Sequence, residues 1–505
     1  MKRNIFKIGL GLMVIMGLVS CESLDVKPKG FYSDENFYKT VEDANAGLLY
    51  AYDALTLVSY APVSYYLGEL ASDNVGVKPD EGADAQQFDR WEVNSQNTLL
   101  LDYYRGAYIS INRANAVIAN TEGKGFNQED EDRLLGESYF LRAYNHFNLV
   151  RAFGLVPLQK KLIDKLEDTN ASLPADMQEV YTFLIEDLTK AVDLLKEKRV
   201  TGLADKVAAQ ALLAKVYLYA ATSKESRVPK YDLLTASVDE LYANAAKFAN
   251  SVLVEQGTYS FDSDLHNIYD VNSPDGPEHI FIMSMDRSGT EEGDYSKIAR
   301  YFLPALGGVN VYLKNTDDSY TLTLDGFGVF TTEDKLLNLY PIGDIRRDEL
   351  MATEIYSYDE DNAEYVLAGS TDDDVVAYEF TRKYIDPEFS GEKTSTRPYL
   401  IRYSDVMMMY AEAAANQDGL NLLNQIRVRA GLEEFEASEL SDKAAFRAKV
   451  IEERQRELAF EADRLWDLRR TNTVSKEVSQ AAGLTPEELA FYPLPQREVD
   501  LNPNL

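Results

Sequence analysis

Apolar residues recur at three- and four-residue spacing through most of the chain, a period that suits packed α-helices and is incompatible with an extended sheet. Phe37, Val41, Ala44, Leu48, Ala51 and Leu55 mark a first amphipathic helix, with Ser33 or Asp34 as its expected N-cap. A second runs from Leu99 to Asn120 on Tyr103, Ala107, Ile111, Ala114 and Ile118. A third, from Glu131 to Phe153, lines up Leu135, Tyr139, Ala143, Phe147 and Val150, and Gly154 and Pro157 stop it. Further helices are expected from Asp176 to Lys198, Leu203 to Ala221 and Ser237 to Gln256, and a charge-laced one from Lys443 to Arg470. Small residues on two of these faces (Ala208, Ala211, Ala214; Ala245, Ala249) let helices approach closely. Leu213, Ala214 and Tyr217 fit the first helix of a tetratricopeptide hairpin, and Ala245 and Ala249 fit the second. A further copy is expected at Leu400 to Ala415 and Asn421 to Arg429, although an ordinary α-helical bundle would show the same spacings. The fold class is therefore mainly α, a tetratricopeptide-like helical-hairpin scaffold. Two stretches break the period. Residues 72 to 98 read as a long loop, and residues 257 to 399 read as a large irregular insertion with small β elements, such as Ile280 to Met285 and Val375 to Phe380.

The N-terminus has a different logic. Lys2, Arg3 and Lys7 precede an apolar run from Ile8 to Val19, then Ser20 and Cys21. A basic start, a short apolar run and a small residue before the cut are the parts of a secretory signal. The run is too short for a hydrocarbon core, which needs roughly 20 apolar residues. Leu18-Val19-Ser20-Cys21 resembles a lipobox, the site at which bacterial lipoproteins are cut and acylated. Cys21 is the only cysteine, so the mature chain has no disulfide and depends on its core. With 45% hydrophobic residues, it has the material for one. The formal charge is −33, and cleavage would remove three cations and no anion. Nucleic acid and anionic lipid headgroups are therefore poor partners.

Little in the chain points to catalysis. His146, His266 and His279 are the only histidines and fit no zinc spacing, and no nucleophile elbow, phosphate loop or dinucleotide fingerprint is present. No metal or cofactor is assigned. The segment from Asp270 to Gly276 is one residue off the EF-hand spacing. Glu453, Glu457, Arg464 and Arg469 alternate in charge at helical spacing, which reads as ion pairing, since arginine does not give up its proton at neutral pH. Trp466 reads as core. The chain has 84 Asp and Glu residues, so the number of carboxylates alone does not single out a hydrolytic pair.

Several segments together resemble the SusD/RagB family of outer-membrane nutrient-binding lipoproteins of the Bacteroidetes. They are Cys21 to Pro28, Asp34-Glu35-Asn36-Phe37-Tyr38, Tyr108 to Asn115, Phe140-Leu141-Arg142-Ala143-Tyr144 and Leu149 to Pro157. Most specific is Glu452 to Glu461, followed by Arg464, Trp466, Asp467, Leu468, Arg469 and Arg470, and the close at Tyr492-Pro493-Leu494-Pro495 with Asn502 to Leu505 is also similar. The resemblance implies a signal peptide at 1–20, a tether at 21–33 and one folded unit at 34–505. It further implies a non-catalytic receptor at the outer membrane, facing the cell surface, that passes an oligosaccharide to a SusC-like TonB-dependent transporter. A peptide ligand and a lipid-anchored glycoside hydrolase are the alternatives.

Aromatic planes stack on sugar rings while Asp, Asn and Gln bond their hydroxyls, so loop aromatics are the ligand candidates. With 33 tyrosines against 2 tryptophans, tyrosine would supply most of them. The resemblance points to residues 72–89 and roughly 286–330. The expected contacts there are Asp73 and Asn74, with Trp91 just beyond, and Tyr295, Tyr301, Tyr312 and Tyr320, Trp91 being the one that reads better as core. Exchange of Cys21 for alanine is expected to abolish incorporation of labelled palmitate and to move the protein out of the membrane fraction.

Overall fold

A computed structural model describes residues 37–255, 258–373 and 375–505. The signal peptide, Cys21 and the tether lie outside the described residues, as do Ser33 and Asp34. The first helix, α1 (Val41–Asp53), is capped by Thr40, whose hydroxyl accepts the Asp43 N–H while the Asp43 carboxylate accepts the Thr40 N–H. Ala44, Leu48 and Ala51 point inward as their spacing predicts.

Helices α2 (Thr98–Thr121) and α3 (Gln128–Phe153) follow, capped by Asn97 and Asn127. Every residue of α3 from Phe140 to Phe153 is buried, so this helix is wrapped on all sides and its polar groups need partners from other helices. Arg142 forms a two-pronged pair with Asp187 at 2.7 and 2.8 Å. His146 sits between the Arg142 carbonyl at 2.9 Å and the Gln159 N–H at 3.1 Å, and burial pushes its pKa down to about 3. It is a packed, neutral histidine.

Next come α4 (Met177–Leu194), α5 (Lys206–Glu225) and α6 (Val238–Glu255). Each helix from α2 onward packs on the one before it, and Ala208, Ala211, Ala214, Ala245 and Ala249 are fully buried at these contacts. The chain then leaves the stack and returns as α7 (Tyr403–Ala414), which packs directly on α6, with α8 (Gln417–Arg429) against α7. Gly419 permits that last approach, because a Cβ there would stand 2.8 Å from the Ala411 Cα.

Short strands occupy the excursion. Of these, β2 (His279–Ile282) pairs with β8 (Tyr399–Arg402), closing the root of the excursion. A four-stranded antiparallel sheet has the order β4 (Tyr320–Thr323), β3 (Val311–Lys314), β6 (Glu354–Asp359), β7 (Glu364–Ser370). The stretch 72–98, expected as a loop, carries β1 (Val75–Val77), which pairs with β5 (Phe330–Thr332), and a helix at Ala83–Asp89. Both elements are too short to show a period, and the partner of β1 is remote in sequence.

The charged C-terminal helix is not continuous. It forms α9 (Lys443–Glu457) and α10 (Arg464–Arg470), separated by Phe460 at φ +70° and Ala462 at φ +61°. The alternating charges run on across the break, so periodicity gave no sign of it. Side chains from elsewhere hold it open. Glu69, fully buried, accepts the Phe460 and Ala462 N–H groups at 2.8 and 3.0 Å, and the Lys383 ammonium donates to the carbonyls of Glu457 and Ala459. Glu453 and Glu457 are ion-paired as expected, and Trp466 is buried. Arg469 departs from the expectation, since it donates to the carbonyls of Arg151 and Ala152 and lies over the Tyr492 ring.

Burial raises the Glu69 carboxyl from 4.5 to about 7, against the lowering pull of Asn74, Phe460 and Ala462. Folding therefore takes up a proton at this site. The contribution is fully present below the unfolded value and is lost as pH rises through about 7. Relative to Glu69→Gln, the wild-type chain is expected to lose about 3 kcal/mol of stability between about pH 4.5 and pH 8, read from urea melts of both proteins.

Candidate functional site

The expected ligand residues fall in three places. Asp73, Asn74 and Trp91 are interior. Asp73 receives Arg464 at 2.7 and 3.0 Å and Lys335 at 2.9 Å. Burial raises its carboxyl, but these cations outweigh that and hold it below the usual range. The Asn74 amide donates to Glu69 at 2.8 Å and accepts from Gln455 at 3.0 Å. Trp91 gives its indole N–H to the Ala71 carbonyl at 3.1 Å. Their polar atoms are occupied by the fold.

Tyr295 and Tyr301 line a small surface pocket with Val58, Pro62 and Glu292. The Lys393 and Lys297 ammonium groups lie 4.9 and 5.9 Å from the centre of the Tyr295 ring. Tyr301 belongs to an aromatic group in which it meets Phe327 edge-on at 6.0 Å, Tyr66 at 6.2 Å and Phe330 in a stacked contact at 5.8 Å.

This group lies where the two stretches named by the sequence meet. The β1–β5 ladder sets Val77 opposite Phe330, and beyond it the Lys78 N–H donates to the Val329 carbonyl at 3.1 Å. The Lys78 ammonium reaches the Phe327 carbonyl at 3.2 Å, so the exposed turn Pro79–Gly82 stands beside half-buried Phe327. The Arg300 guanidinium covers the Phe327 ring at 3.9 Å, donates to the Asp325 carbonyl and pairs with Glu392. Gly326 is obligatory here, because a Cβ would stand 1.8 Å from the Leu303 carbonyl oxygen. Tyr66 and Phe330 are buried, so the half-buried rings of Tyr301 and Phe327, flanked by Lys78, Glu81, Glu292 and Arg300, are the part of this group open to an apolar ring face.

Tyr312 and Tyr320 lie on strands of the four-stranded sheet instead of loops. Register pairs Tyr312 with Tyr356, Tyr356 with Leu367, and Tyr358 with Tyr365, and paired residues share a face. Tyr320 and Tyr365, from opposite edges, lean across the sheet and stack at 3.9 Å, while Tyr312 and Tyr358 meet Tyr365 at 4.9 and 5.0 Å. Sequence reasoning missed Tyr356, Tyr358 and Tyr365. Their signal was the two-residue alternation Tyr356-Ser357-Tyr358 and the turn residues Asp361 and Asn362 before Tyr365.

Among the described residues, no cluster of His, Cys, Asp or Glu is placed to hold a metal ion, and no helix is long and apolar enough to cross a membrane. The model of the SusD family matches residues 277–505, and that of a family described as "Starch-binding associating with outer membrane" matches residues 34–218. The chain belongs to the SusD family. A SusD-like protein of Formosa agariphila is 26% identical over 98% of this chain and 96% of its own length. Among solved structures, a SusD homolog from Bacteroides thetaiotaomicron superposes with a TM-score of 0.74 at 21% identity, covering 94% of this chain and 97% of its own. A laminarin-binding SusD-like protein gives 0.72 at 22%, covering 91% and 97%. The mainly helical scaffold with small β elements is thus a SusD-like fold, and the family is one associated with the outer membrane.

Removing the Asp73 carboxylate would strand the buried Arg464 guanidinium. Asp73→Ala is expected to cost about 3–5 kcal/mol of stability in urea melts.

Proposed function

We propose that this SusD-family chain is a lipoprotein, anchored through Cys21 at the outer membrane and facing outward, that captures an oligosaccharide without cleaving it and delivers it to a SusC-like TonB-dependent transporter. The observation that carries the binding role is the junction of the 72–89 and 286–330 stretches, where the β1–β5 ladder brings an exposed turn against Tyr301 and Phe327. Recognition of a laminarin-type glycan by a structural neighbour supports the ligand class. In this reading Tyr301 and Phe327 stack on sugar rings, Tyr295 extends the same surface, and Lys78, Glu81 and Glu292 bond ring hydroxyls. The strongly negative charge of the chain is compatible with a neutral ligand.

The test is a screen of the soluble chain from Glu22 against neutral glycans, with calorimetry on the hits. Tyr301→Ala and Phe327→Ala are each expected to weaken binding about tenfold, or about 1.4 kcal/mol. Release of reducing ends from a bound glycan would overturn the non-catalytic reading, and a native-membrane pull-down that repeatedly lacked a β-barrel partner would overturn delivery. Affinity that falls steeply with added salt would favour a cationic peptide instead.

A further inference from the structure

We infer that the tyrosine-bearing face of the four-stranded sheet is a second, separate glycan contact, and that it engages the continuation of a neutral polysaccharide chain whose first units occupy the Tyr301–Phe327 junction. The inference rests on the glycan reading above but on different residues.

Four observations carry it. The face holds Tyr312, Tyr320, Tyr356, Tyr358 and Tyr365 on adjacent strands, with Leu367 opposite Tyr356. It stays open to solvent, with Tyr358 44%, Tyr365 36% and Leu367 49% exposed, which is a large concentration of apolar surface to leave in water. The hydroxyl of Tyr356 is committed to Glu354, whereas those of Tyr358 and Tyr365 have no hydrogen-bond partner among the described residues. Its one cation, Lys314, is paired with Asp318 at 2.8 Å, which leaves Glu354 as the uncompensated charge of the face, in a chain whose formal charge is −33.

Each observation narrows the occupant. A cationic peptide would be drawn to the carboxylates that cover the rest of the chain, and an anionic glycan would need cations that this face lacks. An uncharged ring with an apolar C–H face and peripheral hydroxyls matches rings that carry free phenolic hydroxyls. Val311, Leu313 and Ile355 anchor the underside of β3 and the start of β6 in the core, while Ser357 and Val366, behind Tyr358 and Tyr365, are exposed. The chain links it directly to the junction. Strand β3 leaves the loop in which the Asp325 carboxylate accepts the Leu306 and Gly308 N–H groups, and β4 runs back to Asp325 and Phe327. A short oligosaccharide would fill the junction alone, while a longer one would reach the sheet and gain affinity from holding both at once.

The experiment measures affinity against chain length by calorimetry, using laminarin, xyloglucan, starch, xylan and mannan and their two- to eight-unit fragments, on the full chain from Glu22. Wild-type protein is expected to bind long chains at least tenfold more tightly than disaccharides and trisaccharides of the same glycan. The Tyr358→Ala/Tyr365→Ala double variant should lose that gain and keep wild-type affinity for the short fragments, whereas Tyr301→Ala should weaken both. Leu367→Lys, which charges the face without emptying it, should reproduce the loss and guards against a folding defect. Retention of the full length-dependent gain by both sheet variants overturns the inference and leaves the junction reading intact. Absence of binding to all five glycans by wild type overturns both. Unchanged glycan affinity with loss of a co-purifying β-barrel would make the face a protein contact, which also overturns the inference.

Discussion

The Glu457 carboxylate closes α9 at a point where arginines from three separate parts of the chain converge. Arg346 lies at 3.2 Å, Arg402 at 3.3 Å and Arg429 at 2.8 Å, all buried. Burial alone would raise this carboxyl, yet Arg429, Arg402 and Arg346 hold it well below the usual carboxylate range. Glu453 shares Arg346 and takes Arg427, while Glu278 beside β2 takes Arg402 and Arg429. Because Arg346 belongs to the irregular excursion and Arg427 and Arg429 to α8, the network fastens the excursion to the helical stack. Buried charges of this kind need every partner in place, so the position of the candidate site is set by a set of ion pairs distant from it.

The helices were legible in the sequence because each carries an apolar stripe long enough to show its period. Caps are less legible. Thr40 and its partner Asp43, not Ser33 or Asp34, start α1, since any small polar residue ahead of an apolar run looks alike until its backbone angles are known. The break at Phe460 and Ala462 was not legible at all. It depends on Glu69 and Lys383, which approach from remote parts of the chain, and no local pattern records a partner that arrives through folding.

The candidate site shows the same division. Family resemblance points to residues 72–89 and 286–330, and the β1–β5 ladder brings Val75–Val77 beside Phe330. Which side chains face outward was not legible. Asp73 and Asn74 have the composition of a sugar-binding loop, yet their polar groups are taken up by Arg464, Lys335, Gln455 and Glu69. Tyr312 and Tyr320 were selected as loop aromatics and are strand residues, and their companions Tyr356, Tyr358 and Tyr365 come into view only once strand register is known.

The helical stack runs from α6 straight on to α7, although the whole excursion separates them in sequence. The two ends of the excursion therefore leave and rejoin the scaffold at neighbouring points, zipped by β2 and β8. Between those points the loops can lengthen, shorten or exchange residues without shifting a helix, provided Glu278, Arg346 and Arg402 still reach their partners. Such an architecture separates invention from maintenance. Change in the excursion is thereby uncoupled, as in a cassette, from change in the frame beneath.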